Sequence, residues 1–211
     1  MGRAIAVRDY GGVSARDRRA DRRVRLLRAG RQLWGTAGTG DVTVRGVCAQ
    51  AGLGPRYFYE QFPDRDALLL AVGDQVRDEL LSVLVSSALD ATGGLGPKLR
   101  GGLKAFLDLI AGDPHIHRIV SDVLTSGGTF AQRRREALDT VTALVLEHGP
   151  ALIEAGTATP AELRRNATFI VGGVNQLIDT WVINREESST ELADICAELC
   201  LSVVRPATAR G

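Results

Sequence analysis

A glycine- and proline-rich break at residues 52–55 constrains the fold of this chain more than any other feature. Before the break, the apolar residues of segment 44–51 recur with the spacing i, i+3, i+4, i+7, which predicts a two-turn helix with one buried face. Thr43 is a good N-cap for this helix, and Gly52 suits the left-handed conformation that ends it. Pro55 fits the first position of a second helix, where its missing N–H costs nothing. Two short helices joined by a short glycine turn predict a helix-turn-helix.

The second of these helices is rich in aromatic residues. Phe58 and Phe62 lie four positions apart, so we expect both rings to anchor this helix to the core. The residues left to face outward or along the edge are Arg56, Tyr57, Tyr59 and Gln61. Aromatic rings with a hydroxyl tip, next to arginine, suit contacts with phosphates and base edges. The alternative interpretation is that Tyr57 and Tyr59 only cover the core.

The segment before the helix-turn-helix is also helical by its periodicity, from near Asp17 to the glycines of GTAGTGD. Its apolar stripe contains Val24, Leu26, Leu27, Leu33 and Trp34. We expect the arginines of this helix to face water or phosphate. Residues 1–17 are rich in glycine and arginine without periodicity, which predicts a flexible basic arm. Two interpretations of this arm are a minor-groove contact and a segment that does not contact DNA.

Helical patterns continue through the rest of the chain. After Pro63, Asp64 is placed to cap a helix that reaches about Leu89. The apolar positions of that helix are Leu68, Val72, Val76 and Leu80. The segment ATGGLGP then interrupts the pattern, and five helices are predicted beyond it, at 98–111, 114–125, 130–147, 161–184 and 190–204, two of them with the start signals Asp113-Pro114 and Thr159-Pro160. No convincing strand pattern is left, so the chain is predicted to be all-α.

Charge is unevenly distributed along the sequence. Residues 1–65 contain thirteen arginines, no lysine and six acidic residues, a formal charge of +7, which leaves −6 for the remainder of a chain whose total is +1. A basic N-terminal third on an acidic body is typical of a protein that binds nucleic acid and has a second role elsewhere. The alternative interpretation is an ordinary solvated surface rich in arginine.

Composition argues against membrane and disulfide-rich classes. Long uncharged apolar runs are absent from the sequence, and the N-terminus lacks the apolar centre of a signal peptide, so we expect no membrane segment and a cytoplasmic, nucleoid-associated protein. Three cysteines are an odd number for a disulfide framework, which favours buried, reduced thiols at Cys48, Cys196 and Cys200. With three histidines they make a poor zinc set, so we expect no metal and no cofactor. No catalytic motif is evident, and we expect no enzyme activity.

The segment Leu26 to Leu69 resembles the TetR (tetracycline-repressor-like) family of bacterial transcription regulators. The motifs that carry the resemblance are Thr43-Val44, Ala51-Gly52-Leu53, Phe58-Tyr59 with Phe62, and Asp64-Arg65-Asp66-Ala67-Leu68. The resemblance implies a homodimer in which an N-terminal three-helix helix-turn-helix DNA-binding domain is joined to a C-terminal helical ligand-binding and dimerisation domain. The domains are then expected at 1–17 (flexible basic arm), 18–68 (DNA binding), 69–205 (ligand binding and dimerisation) and 206–211 (tail).

The resemblance also implies DNA contacts, residue by residue. The residues matched to phosphate contacts are Thr43, Arg45, Tyr59 and Arg65, and those nearest to the bases are Arg56, Tyr57 and Gln61. Gly54 and Pro55, which open the second helix, belong to the same predicted surface. Gly54 stands where the family often has serine, which removes one hydroxyl but keeps an acceptable cap. Gly30 and Gly46 occupy helical positions where other members have better helix formers.

The C-terminal third contains the candidates for a dimer interface. In segment 161–184 the small pair Gly172-Gly173 interrupts a broad apolar stripe, and small residues beside large ones permit close helix approach. The stripe consists of Phe169, Ile170, Val174, Leu177, Ile178 and Trp181. Together with segment 190–204, this segment is the expected dimer surface. The alternative interpretation is an ordinary core helix within one chain.

Ligand-binding candidates are aromatic residues and polar residues that interrupt apolar faces, since ligand cavities are largely apolar with a few orienting groups. They are Phe106, His117, Asp122, Asn175, Gln176 and Trp181. The alternative interpretation makes each of them a helix-surface or satisfied core residue. His115 and His117 are too close in sequence to share a helix face, which argues against a metal site.

The sequence therefore predicts a sequence-specific DNA-binding transcriptional regulator. Its expected partners are a near-palindromic double-stranded DNA operator, a second copy of the chain, and a small-molecule ligand that releases the repressor from DNA. The alternative hypotheses are a helical small-molecule-binding protein or enzyme with an incidental basic N-terminus, and a module that binds a protein through its helix-turn-helix.

Overall fold

The computed structural model describes residues 14–152 and 159–204, and the regular structure within these ranges is entirely helical. The helices are α1 (Ala15–Ala37), α2 (Val44–Ala51), α3 (Pro55–Tyr59), α4 (Arg65–Asp90), α5 (Leu95–Gly112), α6 (Pro114–Thr125), α7 (Gly128–Leu152), α8 (Pro160–Asn184) and α9 (Ser189–Val204), with a 3₁₀ turn at Thr39–Asp41. The all-α prediction is confirmed for the described ranges. Most of the predicted arm and the whole predicted tail, 206–211, lie outside them.

The chain divides into two compact units, with the boundary between Val72 and Gly73 inside α4. The N-terminal unit contains α1, α2, α3 and the start of α4, and its fully buried side chains are Leu26, Trp34, Val42, Val47, Phe58, Leu68 and Val72. The helix α1 begins at Ala15, two residues before the expected start, because Ser14 and Asp17 cap it reciprocally. The predicted domain limits stay predictions.

Part of the predicted apolar stripe of α1 is solvent-exposed. Leu26, Leu27 and Trp34 are buried, whereas Val24 is exposed. At 3.6 residues per turn, Val24 lies about 120° around the helix from Gly30, which is near the centre of the buried face. The prediction that Val24 faces the core is therefore wrong.

Gly30 marks the closest approach of α1 to α4. A Cβ atom at Gly30 would lie 3.1 Å from Cδ2 of Leu68 and 3.3 Å from Cγ2 of Val72. Both neighbours are buried, so a side chain at this position would have to displace core atoms. Close packing of α1 on α4 thus explains why a glycine, a poor helix former, stands at this position of α1.

The helix α4 starts as its cap residue predicts. The carboxylate Oδ1 of Asp64 accepts a hydrogen bond from the backbone N–H of Ala67 at 2.8 Å. The four apolar positions predicted for its inner face, Leu68, Val72, Val76 and Leu80, are all buried. The helix continues without interruption to Asp90.

In the C-terminal unit, α5 and α9 pack along each other, and α8 contacts α6, α7 and α9. An ion pair of 3.1 Å between Nε of Arg100 and Oδ1 of Asp194 joins α5 to α9. Cys196 and Cys200 are buried on α9, and burial raises the pKa of each thiol to about 11. Both side chains therefore act as small neutral hydrophobes at physiological pH. The prediction of buried, reduced cysteines is confirmed for these two and for Cys48.

Local start signals define helix bounds well in this unit. The helix α6 occupies the predicted range, because the carboxylate of Asp113 accepts hydrogen bonds from the N–H groups of His115 and Ile116. Thr159 and Glu162 form a capping box at the start of α8. The helices α5 and α7 begin earlier than predicted, and α7 also ends later. Within the described ranges, none of the helices combines the length and the apolarity needed to span a bilayer.

Candidate nucleic-acid interface

The turn between α2 and α3 is defined by backbone geometry that the sequence specifies. The hydroxyl of Thr43 accepts a hydrogen bond of 3.0 Å from the N–H of Gly46 and starts α2. Gly52 ends α2 with φ of 63°, a left-handed conformation that glycine adopts without strain. The N–H of Leu53 then donates to the carbonyl of Cys48 at 2.9 Å, and Pro55 occupies the first turn of α3. The predicted helix-turn-helix is present.

Buried aromatic side chains hold α3 against the rest of the N-terminal unit. Phe58 is fully buried and Phe62 is nearly so, with their ring centroids 5.7 Å apart. The ring of Tyr59 meets that of Phe58 edge to face at 5.5 Å. A five-residue helix is too short to be stable alone, so these rings determine where α3 lies.

Most of the predicted DNA-binding residues lie on the exposed surface of this motif. The exposed members are Thr43, Arg45, Gly54, Pro55, Arg56, Tyr57 and Tyr59. The side chain of Arg56 is 88% exposed, and Tyr57 and Tyr59 are 41% and 59% exposed. The neighbouring Phe58 supplies the contact with the core, which leaves these side chains at the surface. The surface therefore combines cationic and phenolic donors, the groups that contact phosphates and base edges.

Gln61 and Arg65 differ from the other predicted contacts because both are half-buried. The amide nitrogen of Gln61 is shielded from solvent and has no hydrogen-bond partner among the described residues. Arg65 donates from Nε to the carbonyl of Val42 at 2.6 Å and from Nη2 to the carbonyl of Thr39. Its guanidinium thereby ties the start of α4 to the 3₁₀ turn. The DNA contacts expected of Gln61 and Arg65 stay predictions.

Arg25 of α1 closes the end of α2. It donates to the carbonyl oxygen of Ala51 from Nε at 3.2 Å and from Nη2 at 2.6 Å, and Nη2 also lies 3.3 Å from the carbonyl oxygen of Gly52. The last carbonyls of a helix have no partner within the helix, so these bonds satisfy groups that would otherwise need water. Arg25 is exposed, as expected of the arginines of α1, and it makes these contacts as well.

Two further arginines of α1 donate hydrogen bonds to backbone carbonyls just after the end of α3. Nη2 of Arg19 donates to the carbonyl of Glu60 at 2.9 Å, and Nη1 of Arg23 donates to the carbonyl of Gln61 at 3.4 Å. The guanidinium of Arg23 also lies over the ring of Phe62, 4.5 Å from its centroid. Both arginines are exposed, as expected, and they bind backbone carbonyls as well.

The predicted ligand residues are dispersed over the C-terminal unit. Nε2 of His117 donates to the carbonyl of Val182 at 2.9 Å, and Nε1 of buried Trp181 donates to the carbonyl of Glu187 at 2.8 Å. Gln176 is exposed on α8. Phe106 on α5 and Asp122 on α6 are half-buried.

The remaining candidate, Asn175, belongs to a polar cluster between α7 and α8. Its Nδ2 donates to Oδ2 of Asp179 at 3.2 Å, and Asp179 forms an ion pair with Arg134 of α7. Burial lowers the pKa of Arg134. Among the described residues, no group of three or more His, Cys, Asp or Glu side chains is arranged to hold a metal ion.

Comparison with known proteins identifies the N-terminal motif. Residues 26–72 match the family model described as bacterial regulatory proteins, tetR family. This segment of the chain, which includes α2, α3 and the start of α4, is therefore similar to the tetR family. No curated protein sequence matches the chain.

Solved structures of several regulators share the fold of this chain. The fatty acid degradation regulator FadR of Bacillus halodurans is 17% identical with a TM-score of 0.64, and 86% of this chain and 99% of that chain are covered. FadR of Bacillus subtilis, solved in complex with stearoyl-CoA, gives the same four values. A TetR-family regulator of Syntrophomonas wolfei is 16% identical with a TM-score of 0.69, and the coverage is 91% and 99%. At these identities the likeness establishes the fold.

The sequence did not reveal that arginines of α1 hold the backbone around the helix-turn-helix. Their partners are backbone carbonyls 26 to 41 positions away, and every residue type carries such a carbonyl. A pattern of residue types cannot identify an acceptor of this kind. The available signal was the row of arginines itself, on a helix next to two short helices whose last carbonyl groups need donors.

Replacing Arg25 by methionine tests the closing role of this residue. The variant keeps a long apolar side chain but loses the donors to Ala51, so we expect the free energy of unfolding to fall by about 1–2 kcal/mol. Urea denaturation followed by circular dichroism measures it. Arg28→Met removes the same charge from an exposed position of α1 and should change the stability by less than about 0.5 kcal/mol. Equal losses in the two variants would contradict the closing role.

Proposed function

We propose that this chain is a homodimeric repressor that binds a near-palindromic operator in the cytoplasm and is released from it by a small-molecule ligand. The observation that carries the proposal is the exposed face of α2 and α3, where Arg45, Arg56, Tyr57 and Tyr59 surround the buried anchor Phe58. Phosphate contacts would fix the register of this face, and contacts to base edges would provide sequence preference. We propose no catalytic role, in keeping with a family of regulatory proteins.

A near-palindromic site follows from a dimer, because two copies of α3 related by twofold symmetry meet two copies of the same half-site. Support for a dimer comes from a stripe of exposed residues on α8, at alternating spacings of four and three: Phe169, Gly173, Gln176, Thr180 and Ile183. Phe169 and Ile183 are 68% and 65% exposed. Such spacing is that of a seam between two helices, so we propose that a second copy covers this stripe.

The glycines and the neighbouring helix support the same interface. Apart from the adjoining residues and backbone of α8 itself, Cβ atoms at Gly172 and Gly173 would have no described heavy atom within 4 Å, so a partner helix has room to approach the backbone of α8. On α9, Ile195 and Leu199 are exposed as well. The rest of the predicted apolar stripe has partners within the chain, since Trp181 is buried and Ile170, Val174, Leu177 and Ile178 are half-buried.

We propose an apolar or amphipathic ligand for the C-terminal unit. Many large apolar side chains on the packed helices α6, α7 and α8 are only half-buried, among them Val123, Leu124, Leu138, Val141, Val145, Val174 and Ile178. The cluster of Asn175, Asp179 and Arg134 offers polar groups beside them. The structural neighbour from Bacillus subtilis binds stearoyl-CoA, a molecule with an apolar chain and a polar head. The predicted set, Phe106, His117, Asp122, Asn175, Gln176 and Trp181, stays our proposal for the contacts.

Release requires that the ligand bind two conformations unequally. A coupling free energy of about 1–3 kcal/mol between the two sites would lower operator affinity by about 5- to 150-fold.

Selection of bound duplexes from a random DNA pool tests the proposed function. We expect an enriched near-palindrome whose affinity falls by about 10³-fold or more between 50 and 200 mM salt, as for roughly six phosphate contacts. Arg45→Ala should weaken binding to the enriched duplex and to random duplexes alike, because a phosphate contact carries no sequence information. Fluorescence anisotropy of labelled duplexes measures both affinities.

Arg118→Ala is the matched control, since it removes an exposed arginine from α6 in the C-terminal unit. It should leave both affinities unchanged. A pool without enriched sequences would contradict the proposed function and favour a helical small-molecule-binding protein with an incidental basic N-terminus.

A further inference from the structure

Glu60, the residue after the last turn of α3, lies between two arginines from different helices. Its Oε1 is 3.3 Å from Nε of Arg56 on α3, and its Oε2 is 3.6 Å from Nη2 of Arg22 on α1. The side chain of Arg56 is almost fully exposed, whereas those of Arg22 and Glu60 are mostly covered. The carboxylate of Glu60 thus links Arg56, an exposed residue predicted to contact DNA, to the mostly covered Arg22 of α1.

Several contacts hold Arg22 and Glu60, the two covered members of this group of three charged residues. The guanidinium of Arg22 lies over the ring of Tyr57, 4.8 Å from its centroid, and its Nε is shielded from solvent. The backbone carbonyl of Glu60 accepts a hydrogen bond from Arg19 at 2.9 Å. Both the backbone and the side chain of Glu60 are therefore tied to α1. An ion pair between two freely moving exposed side chains holds neither of them well, but here one partner is already fixed.

The pairing also determines which donors of Arg56 stay available. Glu60 pairs with Nε, at the inner edge of the guanidinium. The two terminal nitrogens keep their hydrogens for another acceptor. Two parallel donors at that spacing match O6 and N7 of guanine in the major groove, the commonest specific contact of arginine. A guanidinium held at Nε also has less freedom to turn towards a phosphate.

We infer that Glu60 is a positioning residue that holds Arg56 for bidentate recognition of one guanine in each half-site. This inference rests on the proposed function and goes further, since it names the base and assigns a role to an acidic residue on a DNA-binding surface. An acidic residue at this place weakens general attraction to DNA, so the benefit we expect from it is better discrimination between bases.

The test compares the sequences selected by the wild type and by Glu60→Met, which keeps the side-chain length but has no acceptor. For the wild type we expect one symmetric pair of positions with a guanine preference of about 5- to 150-fold, the range of a bidentate contact. Glu60→Met should reduce that preference at least about fivefold, while other positions are unchanged. Its affinity for random duplexes should stay equal or rise. Glu60→Gln, which keeps an acceptor oxygen, should restore part of the preference.

Two further variants separate positioning from charge and from folding. Arg56→Lys lacks the planar fork and should lose the guanine preference at the same pair of positions, and adding Glu60→Met to it should cause no further loss there. Asp41→Asn removes an exposed negative charge elsewhere in the N-terminal unit and should leave the preference intact.

Different results overturn the inference and the proposed function. An unchanged guanine preference in Glu60→Met, or its loss in Asp41→Asn, would overturn the role of Glu60 alone. Losses by Arg56→Lys and Glu60→Met at different positions would do the same. If the wild type enriches no sequence at all, both the proposed function and the inference fail.

Discussion

Replacing Phe58 by alanine is expected to unfold the N-terminal unit at a much lower denaturant concentration and to abolish specific DNA binding. Phe58 is fully buried, and its ring contacts those of Phe62 and Tyr59. Truncation of a buried phenylalanine costs about 3–5 kcal/mol, a large share of the roughly 5–15 kcal/mol that stabilises a typical domain. The short helix α3 has little stability without this anchor, so its exposed side chains would lose their common surface.

The two tryptophans permit a measurement on this unit alone. Trp34 is buried in the N-terminal unit and Trp181 in the other, so a Trp181→Phe background makes fluorescence a probe of Trp34. Urea denaturation of Phe58→Ala in that background gives the loss of stability. Val24→Ala, at an exposed position of α1, should change it by less than about 0.5 kcal/mol. A loss below about 1 kcal/mol for Phe58→Ala would contradict the anchoring role.

The double substitution of Phe169 and Ile183 by aspartate is expected to convert the proposed dimer into a monomer. Both side chains lie on the exposed stripe of α8, and twofold symmetry would bring the introduced charges of the two copies towards each other. Charges desolvated without a partner are strongly unfavourable. Separation of the two DNA-binding units should then lower operator affinity by about 100-fold or more, because simultaneous binding of two half-sites is lost.

Analytical ultracentrifugation at micromolar concentration measures the mass of each variant. Leu89→Asp is a matched control, since Leu89 is a highly exposed apolar residue on α4. It should leave the mass of the wild type unchanged. A monomeric wild type, or a double variant that remains dimeric, would show that the α8 stripe is not the dimer interface.

The sequence was most informative where structure depends on neighbours along the chain. The range Val44–Ala51 was predicted correctly because Thr43 caps the helix and Gly52 ends it, and both effects act within one turn. The burial of Phe58 and Phe62 followed from their spacing of four. The same local signals place the predicted DNA contacts on one short motif, which explains why most of them are exposed together.

Tertiary contacts account for what the sequence left undetermined. Val24 fits the period of α1, but the direction of the buried face depends on where α4 crosses at Gly30. Arg25 is paired with Ala51, and Glu60 with Arg22, only because folding brings α1 next to α2 and α3. For the ligand, the residue types of Asn175 and Trp181 were recognisable. The contact of Asp179, the partner of Asn175, with Arg134 depends on the packing of α7 on α8, and the contact of Trp181 with Glu187 depends on where α8 ends.

The arginines of α1 also change the electric field around the helix-turn-helix. The carbonyl end of a helix carries roughly half a negative charge, which repels the phosphates of an approaching duplex. Guanidinium groups of Arg19, Arg23 and Arg25 lie at the carbonyl ends of α2 and α3 and oppose this partial negative charge. These groups are therefore expected to add to the long-range attraction of DNA, whether or not they contact it. Exchange of these arginines for neutral residues would slow the association rate at low salt even where every direct contact is preserved.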